Sequence, residues 1–313
     1  MSDAVTRDDV SRAAEVIRGR VHRTPVFSSH SLGDRCFLKA ELLQKTGSFK
    51  PRGVLTKLAS LSAEEKRRGI IGVSAGNHAQ ALAWGAAQEG LDCLVVMYRG
   101  ASEAKAAAAR AYGAQVDLEA TGPNDSFTRL RLLEQETGRV LVHPFDDPRT
   151  IAGQGTVGLE IVEDVPDAAT VVVPTGGGGL VAGIAVAVAP AGVRVVAVEP
   201  EGSRALYEGL AAGRPVDVEP RSIADGLNAP FAGELCLELC ASLGVESVLV
   251  TETEIERGMR FLYERAKLAC EPAGAAAAAA VLAGKVETTG PVVVVVSGGN
   301  VVARIASDIL AGR

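Results

Sequence analysis

Apolar and polar positions change period several times along the chain. Between Arg7 and Ile17 the apolar residues recur at helical spacing, and Thr6 with Asp9 three residues on resembles a capping box, so a leading helix is predicted there. A short strand over Cys36–Ala40 follows, then a polar loop, then a helical pattern through Val54, Leu55, Leu58 and Leu61. Ser62 and Glu65 form a second capping box, and Gly69 closes that helix before the strand Ile70–Val73. From there strand and helix alternate: Cys93–Met97, Ser102–Tyr112, Gln115–Leu118, Ser126–Glu136, Val140–Val142. A second strand series reads Val171–Val173, Val193–Val198, Ser247–Val250 and Val292–Val296. Alternation of this kind predicts βαβ units and parallel sheets, and runs of bare valine predict strands buried on both faces. His143–Pro148 is the expected seam between the two series. The alanine run Ala275–Ala280 predicts a closely packed helix, and Trp84 is expected in the core of the helix after Gln80.

A chain of 313 residues exceeds one small core, so two packed units are expected. With 47% hydrophobic and 22% charged residues it is of the ordinary soluble globular class. A net charge of -6 without a sustained Lys/Arg block argues against a nucleic-acid footprint or a polybasic membrane anchor. A small-molecule partner is therefore expected. The polar, acidic stretch Met1–Asp9 lacks the pattern of a signal peptide, and no apolar run is long enough to span a bilayer. Five cysteines, Cys36, Cys93, Cys236, Cys240 and Cys270, form no C-x-x-C pair and predict a reducing, cytoplasmic setting. Packing on a helix accounts for Cys236 and Cys240 better than metal binding, and His22, His30 and His143 have no ligand-like spacing.

Chemistry concentrates in four loops. Thr46-Gly47-Ser48-Phe49-Lys50-Pro51-Arg52-Gly53 encloses a lysine between small turn residues and a proline. A desolvated lysine amine of this kind can capture an aldehyde, although an exposed lysine at a helix start is the simpler account of the loop by itself. Val171–Val173 run into Pro174-Thr175-Gly176-Gly177-Gly178-Gly179 and an apolar helix, a phosphate cradle built on a helix amino terminus. A dinucleotide site competes for the same residues, since Gly177, Gly179 and Ala182 satisfy G-x-G-x-x-A and Glu199 ends the next strand. Ser74-Ala75-Gly76-Asn77-His78 opens another helix with hydroxyl, amide and backbone donors suited to a carboxylate or phenolate. Ser297-Gly298-Gly299-Asn300 ends the last valine strand in the same way.

Together these motifs resemble the fold-type II pyridoxal-phosphate enzymes, the threonine/serine dehydratase and serine racemase family. The resemblance runs from Thr24-Pro25 through the lysine loop, Ser74–Gln80, the four glycines and Glu271-Pro272-Ala273-Gly274 to Asn300. It implies an α/β fold of two doubly wound parallel-sheet domains, tryptophan synthase β-like. The large pyridoxal-phosphate-binding domain would comprise 1–66 plus 146–313, and the small mobile domain 67–145. It implies that Lys50 holds the cofactor aldehyde, with Phe49 beside it. Gly176, Gly177, Gly178 and Gly179 would hold the phosphate, Asn77 the phenolic oxygen and Ser297 the pyridine nitrogen. The substrate carboxylate falls to Ser74, Ala75, Gly76, Asn77 and His78, and Gly226 is a backbone contact. Glu271 is either a capping carboxylate or an active-site contact.

Two departures refine the expectation. Racemases of the family carry a hydroxyl where this chain has Ala75, which favours elimination from a β-hydroxy amino acid over racemisation. The family's cation site would use Glu199 and an acid six residues on, but that position is Ala205, so the sequence leaves a divalent or monovalent cation at Glu199 open. The resemblance also implies a homodimer, and Arg313 lies too close to Asn300 to leave room for a carboxy-terminal regulatory domain. A racemase, a nicotinamide-dependent oxidoreductase and a binding module without turnover remain the alternatives.

Overall fold

The computed structural model describes residues 5–101, 103–287 and 289–313. Its elements run α1 (Arg7–Ile17), β1 (Val26–Ser28), β2 (Cys36–Lys39), α2 (Pro51–Ala59), α3 (Ala63–Arg68), β3 (Ile70–Val73), α4 (Asn77–Glu89), β4 (Cys93–Tyr98), α5 (Glu103–Ala111), β5 (Gln115–Ala120), α6 (Pro123–Thr137) and β6 (Val140–Leu141). The second half contributes α7 (Pro148–Asp164), β7 (Thr170–Pro174), α8 (Gly179–Val188), β8 (Arg194–Pro200), α9 (Ala205–Ala212), α10 (Glu234–Ser242), β9 (Glu246–Val250), α11 (Glu252–Phe261), α12 (Pro272–Leu282), β10 (Val292–Val295) and α13 (Ala303–Leu310). Ser102, the expected start of α5, lies outside the described residues.

The capping boxes form at Thr6/Asp9 and Ser62/Glu65 and recur at Thr251/Glu254. Two sheets result. One has six strands in the order β1-β2-β10-β7-β8-β9, and the other has four in the order β5-β4-β3-β6. Every pairing is parallel except that of β1 with β2. The antiparallel edge strand β1 is absent from the sequence pattern, because only three residues pair and two of them are exposed.

Valine alternation accounts for the burial of the six-stranded sheet. Val171, Val173, Val293 and Val295 enter the core beneath α1, α7 and α8, whereas Val172, Val292 and Val294 enter the core beneath α12. The alanines of α12 are fully buried, and their short side chains let the helix lie close on β7, β8, β9 and β10. Helices α4 and α5 cover one face of the four-stranded sheet, and Leu130 and Leu133 of α6 cover the other. Trp84 departs from its expected place in the core: it is half-buried, because Leu82 and Gly85 occupy the inward positions of α4. No helix among the described residues is long and apolar enough to cross a membrane.

Candidate active site

The carboxyl ends of β3, β7 and β10 open into one cavity lined by Lys50, Ser74–His78, Gly176–Gly179, Gly226, Glu271 and Ser297. Parallel sheets gather ligands at such strand ends because loops and helix amino termini converge there. All of the loops singled out from the sequence meet at this place.

The lysine loop is fastened to the loop after β10. Ser48 and Gly298 form an isolated antiparallel bridge, the Phe49 amide donates to the Ser297 carbonyl at 3.2 Å, and the Gly299 amide donates to the Gly47 carbonyl at 2.9 Å. Asn300 Nδ2 donates to the Thr46 carbonyl at 2.7 Å, with Thr46 held at φ 58. A threonine in the left-handed region is strained, so this turn is imposed by the contacts around it. Beneath it, Arg52 and Lys39, both fully buried, share Glu41 and Glu160: Arg52 bonds both carboxylates and Lys39 bonds Glu160 at 2.6 Å. Two cations balanced by two anions make burial tolerable and fix the start of α2.

Lys50 Nζ donates to the Pro144 carbonyl at 2.8 Å and lies 5.0 Å from the Phe49 ring centroid. The residue keeps some exposure to the cavity, yet the protein atoms packed about its amine withdraw it from water and lower its pKa to about 8. Burial likewise keeps His78 neutral, with a pKa near 3, and His143, with a pKa near 4. His78 Nε2 donates to the Val142 carbonyl at 3.0 Å, and its Nδ1 is buried without a partner.

The glycine cradle is shaped by close approach. A side chain on Gly177 would stand 2.3 Å from the Phe145 ring, and Gly178 adopts φ +98 with Cys236 2.8 Å from the place of a Cβ. Bare backbone at the amino terminus of α8 is therefore presented to the cavity, which suits a phosphate. The cradle, the desolvated amine and the polar loops fit pyridoxal phosphate. They do not fit a dinucleotide: Glu199, the ribose ligand of that reading, is fully buried and accepts from the Leu206 and Tyr207 amides, each at 2.8 Å, and from Ser247 Oγ at 2.5 Å. Glu199 caps α9, and burial raises its pKa to about 7. Among the described residues no group of three or more His, Cys, Asp or Glu is arranged to hold a metal ion.

Glu271 resolves in favour of the cavity over the cap. It sits at the start of α12 with no side-chain bond to that helix, and its Oε1 accepts from Asn77 Nδ2 at 2.5 Å. Asn77 Oδ1 in turn accepts from Asn300 Nδ2 at 2.7 Å, which leaves Asn77 one N–H to offer the cavity. Glu271 Oε2 is buried without a partner, and desolvation, aided by Asp225 and opposed by Lys105 and Asn77, raises the pKa to about 7.

Several residues escaped the sequence reading. The seam His143–Pro148 is part of the site: Phe145 braces the cradle, and Asp146 caps α10 by accepting from the amides of Glu234, Leu235 and Cys236. Its signal was Pro-Phe-Asp-Asp-Pro, which any loop could carry. Cys236 and Cys240 are buried on α10 as expected for packing.

A family model described as pyridoxal-phosphate dependent enzyme matches residues 17–298. The L-threonine ammonia-lyase of Thermotoga maritima is 43% identical over 305 residues, which cover 95% of this chain and 76% of that protein. The catabolic L-threonine dehydratase of Escherichia coli (strain K12) is 40% identical over 307 residues, covering 95% and 93%. Among solved structures, maize serine racemase superposes with a TM-score of 0.91 at 34% identity, covering 99% of this chain and 98% of that one. The serine racemase of Dictyostelium discoideum gives 0.87 at 33% identity, covering 95% and 99%.

Proposed function

Because the chain belongs to the pyridoxal-phosphate dependent enzyme family, we propose that its cavity eliminates water from a β-hydroxy amino acid such as L-threonine or L-serine, giving a 2-oxo acid and ammonia. It is a lyase of the threonine dehydratase kind. The observation that carries the site assignment is a desolvated Lys50 amine sharing one cavity with the glycine cradle, Asn77 and Ser297.

When bound, pyridoxal phosphate supplies an aldehyde for a lysine and an electron sink for charge at the substrate α-carbon. The amides of Gly176–Gly179 would hold the phosphate, the remaining N–H of Asn77 would meet the phenolic oxygen, and the Ser297 hydroxyl would meet the ring nitrogen. The loop Ser74–His78 receives the substrate carboxylate. Lys50, with its pKa near 8, is partly neutral at physiological pH and takes the α-proton as general base. A lone base on one face favours elimination, and the methyl group of Ala75 offers no proton to the other face. Racemisation is accordingly weak, which separates this reading from the serine racemases whose structures the chain resembles.

The segment 67–145, which carries the four-stranded sheet, is assigned to a small mobile domain that closes over substrate, against a large domain of 1–66 plus 146–313. A cytoplasmic setting is supported by five buried free cysteines. A homodimer is the assembly implied by resemblance. Glu199 is assigned to capping; a cation there would have to displace three hydrogen-bond donors. The test is a screen of β-hydroxy amino acids that scores 2-oxo acid and ammonia release together with the chirality of unreacted substrate. Keto-acid release with a visible band that borohydride bleaches and Lys50→Ala abolishes supports the reading. A colourless protein without lyase activity, or D-isomer appearing as fast as keto acid, refutes it.

A further inference from the structure

One ion pair beside the cavity joins a helix of the four-stranded sheet's layer to a turn of the other layer. Lys105, on α5 beside the four-stranded sheet, bonds Asp225 in the turn Asp225–Leu227, which packs against α12. Its ammonium lies 3.8 Å from where a Cβ on Gly76 would stand, directly over the loop assigned to the substrate carboxylate. The two partners differ in their freedom to move. The Lys105 side chain is only 9% exposed, whereas that of Asp225 is 48% exposed and also lines the cavity. A buried cation loses its hydration and must keep an anion beside it. An exposed carboxylate can turn into water at little expense. Exchange at this pair therefore replaces the anion and leaves the cation in place. Glu271, the other carboxyl near Lys105, is buried and bonds Asn77, and it makes no hydrogen bond to Lys105.

We propose that Lys105 is a substrate-binding residue: the carboxylate docking on Ser74–His78 takes the place of Asp225 as its counter-ion. The assignment rests on the reading of that loop in the proposed function and extends it. Loss of the Asp225 contact on binding also changes what holds the four-stranded sheet against the turn Asp225–Leu227, so the arrival of substrate is felt at the contact between the sheets.

The test uses the cofactor-loaded protein and L-alanine, which has the carboxylate but no β-leaving group, titrated by the change in the visible band, beside steady-state kinetics on L-threonine. A charge-assisted contact made equally before and during reaction appears in KM and not in kcat. Lys105→Met is expected to raise the L-alanine Kd and the KM roughly 10- to 100-fold with kcat within about threefold. Lys105→Arg restores most of the loss. Asp225→Asn moves both constants the other way, by about two- to tenfold, because the competing anion is gone. A Lys105→Met protein within about twofold of wild type overturns the proposal. So does an Asp225→Asn protein that weakens binding as Lys105→Met does, the signature of a merely structural latch. Wild-type protein that forms no visible band, or binds no L-alanine when coloured, overturns the functional reading and this inference with it, and does so before any variant is made.

Discussion

Replacing Glu271 with glutamine should stabilise the cofactor-free protein, and only above the pH at which a carboxylic acid ordinarily ionises. The residue is 1% exposed, one oxygen accepts from Asn77 and the other has no partner. Burial is the main cause that raises its pKa from 4.5 to about 7. In the unfolded chain the group ionises near 4.5, so between 4.5 and 7 the unfolded state sheds its proton first and gains on the folded one. The gap corresponds to a loss of roughly 3 kcal/mol, complete once the pH exceeds the folded value. Glutamine has nearly the same shape, still accepts from Asn77, and cannot ionise. Urea unfolding followed by far-ultraviolet circular dichroism at about pH 5 and about pH 8, on either side of the folded value, reads the difference. The variant's advantage should grow by roughly 2 kcal/mol between the two conditions. Glu199 titrates in the same range but contributes equally to both proteins. A difference that is the same at both pH values would show that Glu271 stays ionised and would refute the burial argument.

The lowered pKa of Lys50 predicts that the rate at which cofactor-free protein captures pyridoxal phosphate, read by the growth of the visible band, rises with pH to a midpoint near 8; a midpoint near 10.5 contradicts it. Gly177→Ala would press a methyl group into the Phe145 ring, 2.3 Å from its Cβ position, and should weaken cofactor binding in a fluorescence titration by at least about tenfold. Arg52→Ala strands Glu41 and part of the charge of Glu160, so the unfolding free energy should fall by about 3–5 kcal/mol in the same urea assay.

Much of the site was legible because its parts are backbone devices. Four glycines after a valine strand, and an asparagine at a helix start after another, declare their geometry through residue type and through the strand that precedes them. Lys50 was legible only in company, since a lysine before a proline has an ordinary explanation until the phosphate cradle is known to face it. The places of Phe145 and Asp225 in the cavity wall, and the contact of Lys105 with Asp225, were not legible. They depend on which side chains the sheets bring across from distant segments, and Phe and Lys have commoner uses as core and surface. Glu271 stood between two roles until the structure placed its oxygen on Asn77, 194 residues away in sequence. Glu199 met the spacing of a dinucleotide site and failed its chemistry, because its oxygens are occupied by α9 and Ser247. Only burial could reveal that.

The bridge between Ser48 and Gly298, together with the charge network under Arg52, ties the reactive amine to the same sheet as the glycine cradle. The loop Ser74–His78 extends from the other sheet. The lysine and the glycine cradle are thus built on one layer, and Asn77 with the loop proposed for the substrate carboxylate on the other. On the proposed roles, substitutions in the four-stranded layer that spare Asn77 should change which amino acid is accepted while Lys50 keeps its place beside the glycine cradle, so a lineage built on this chain would change its diet without rebuilding its catalyst.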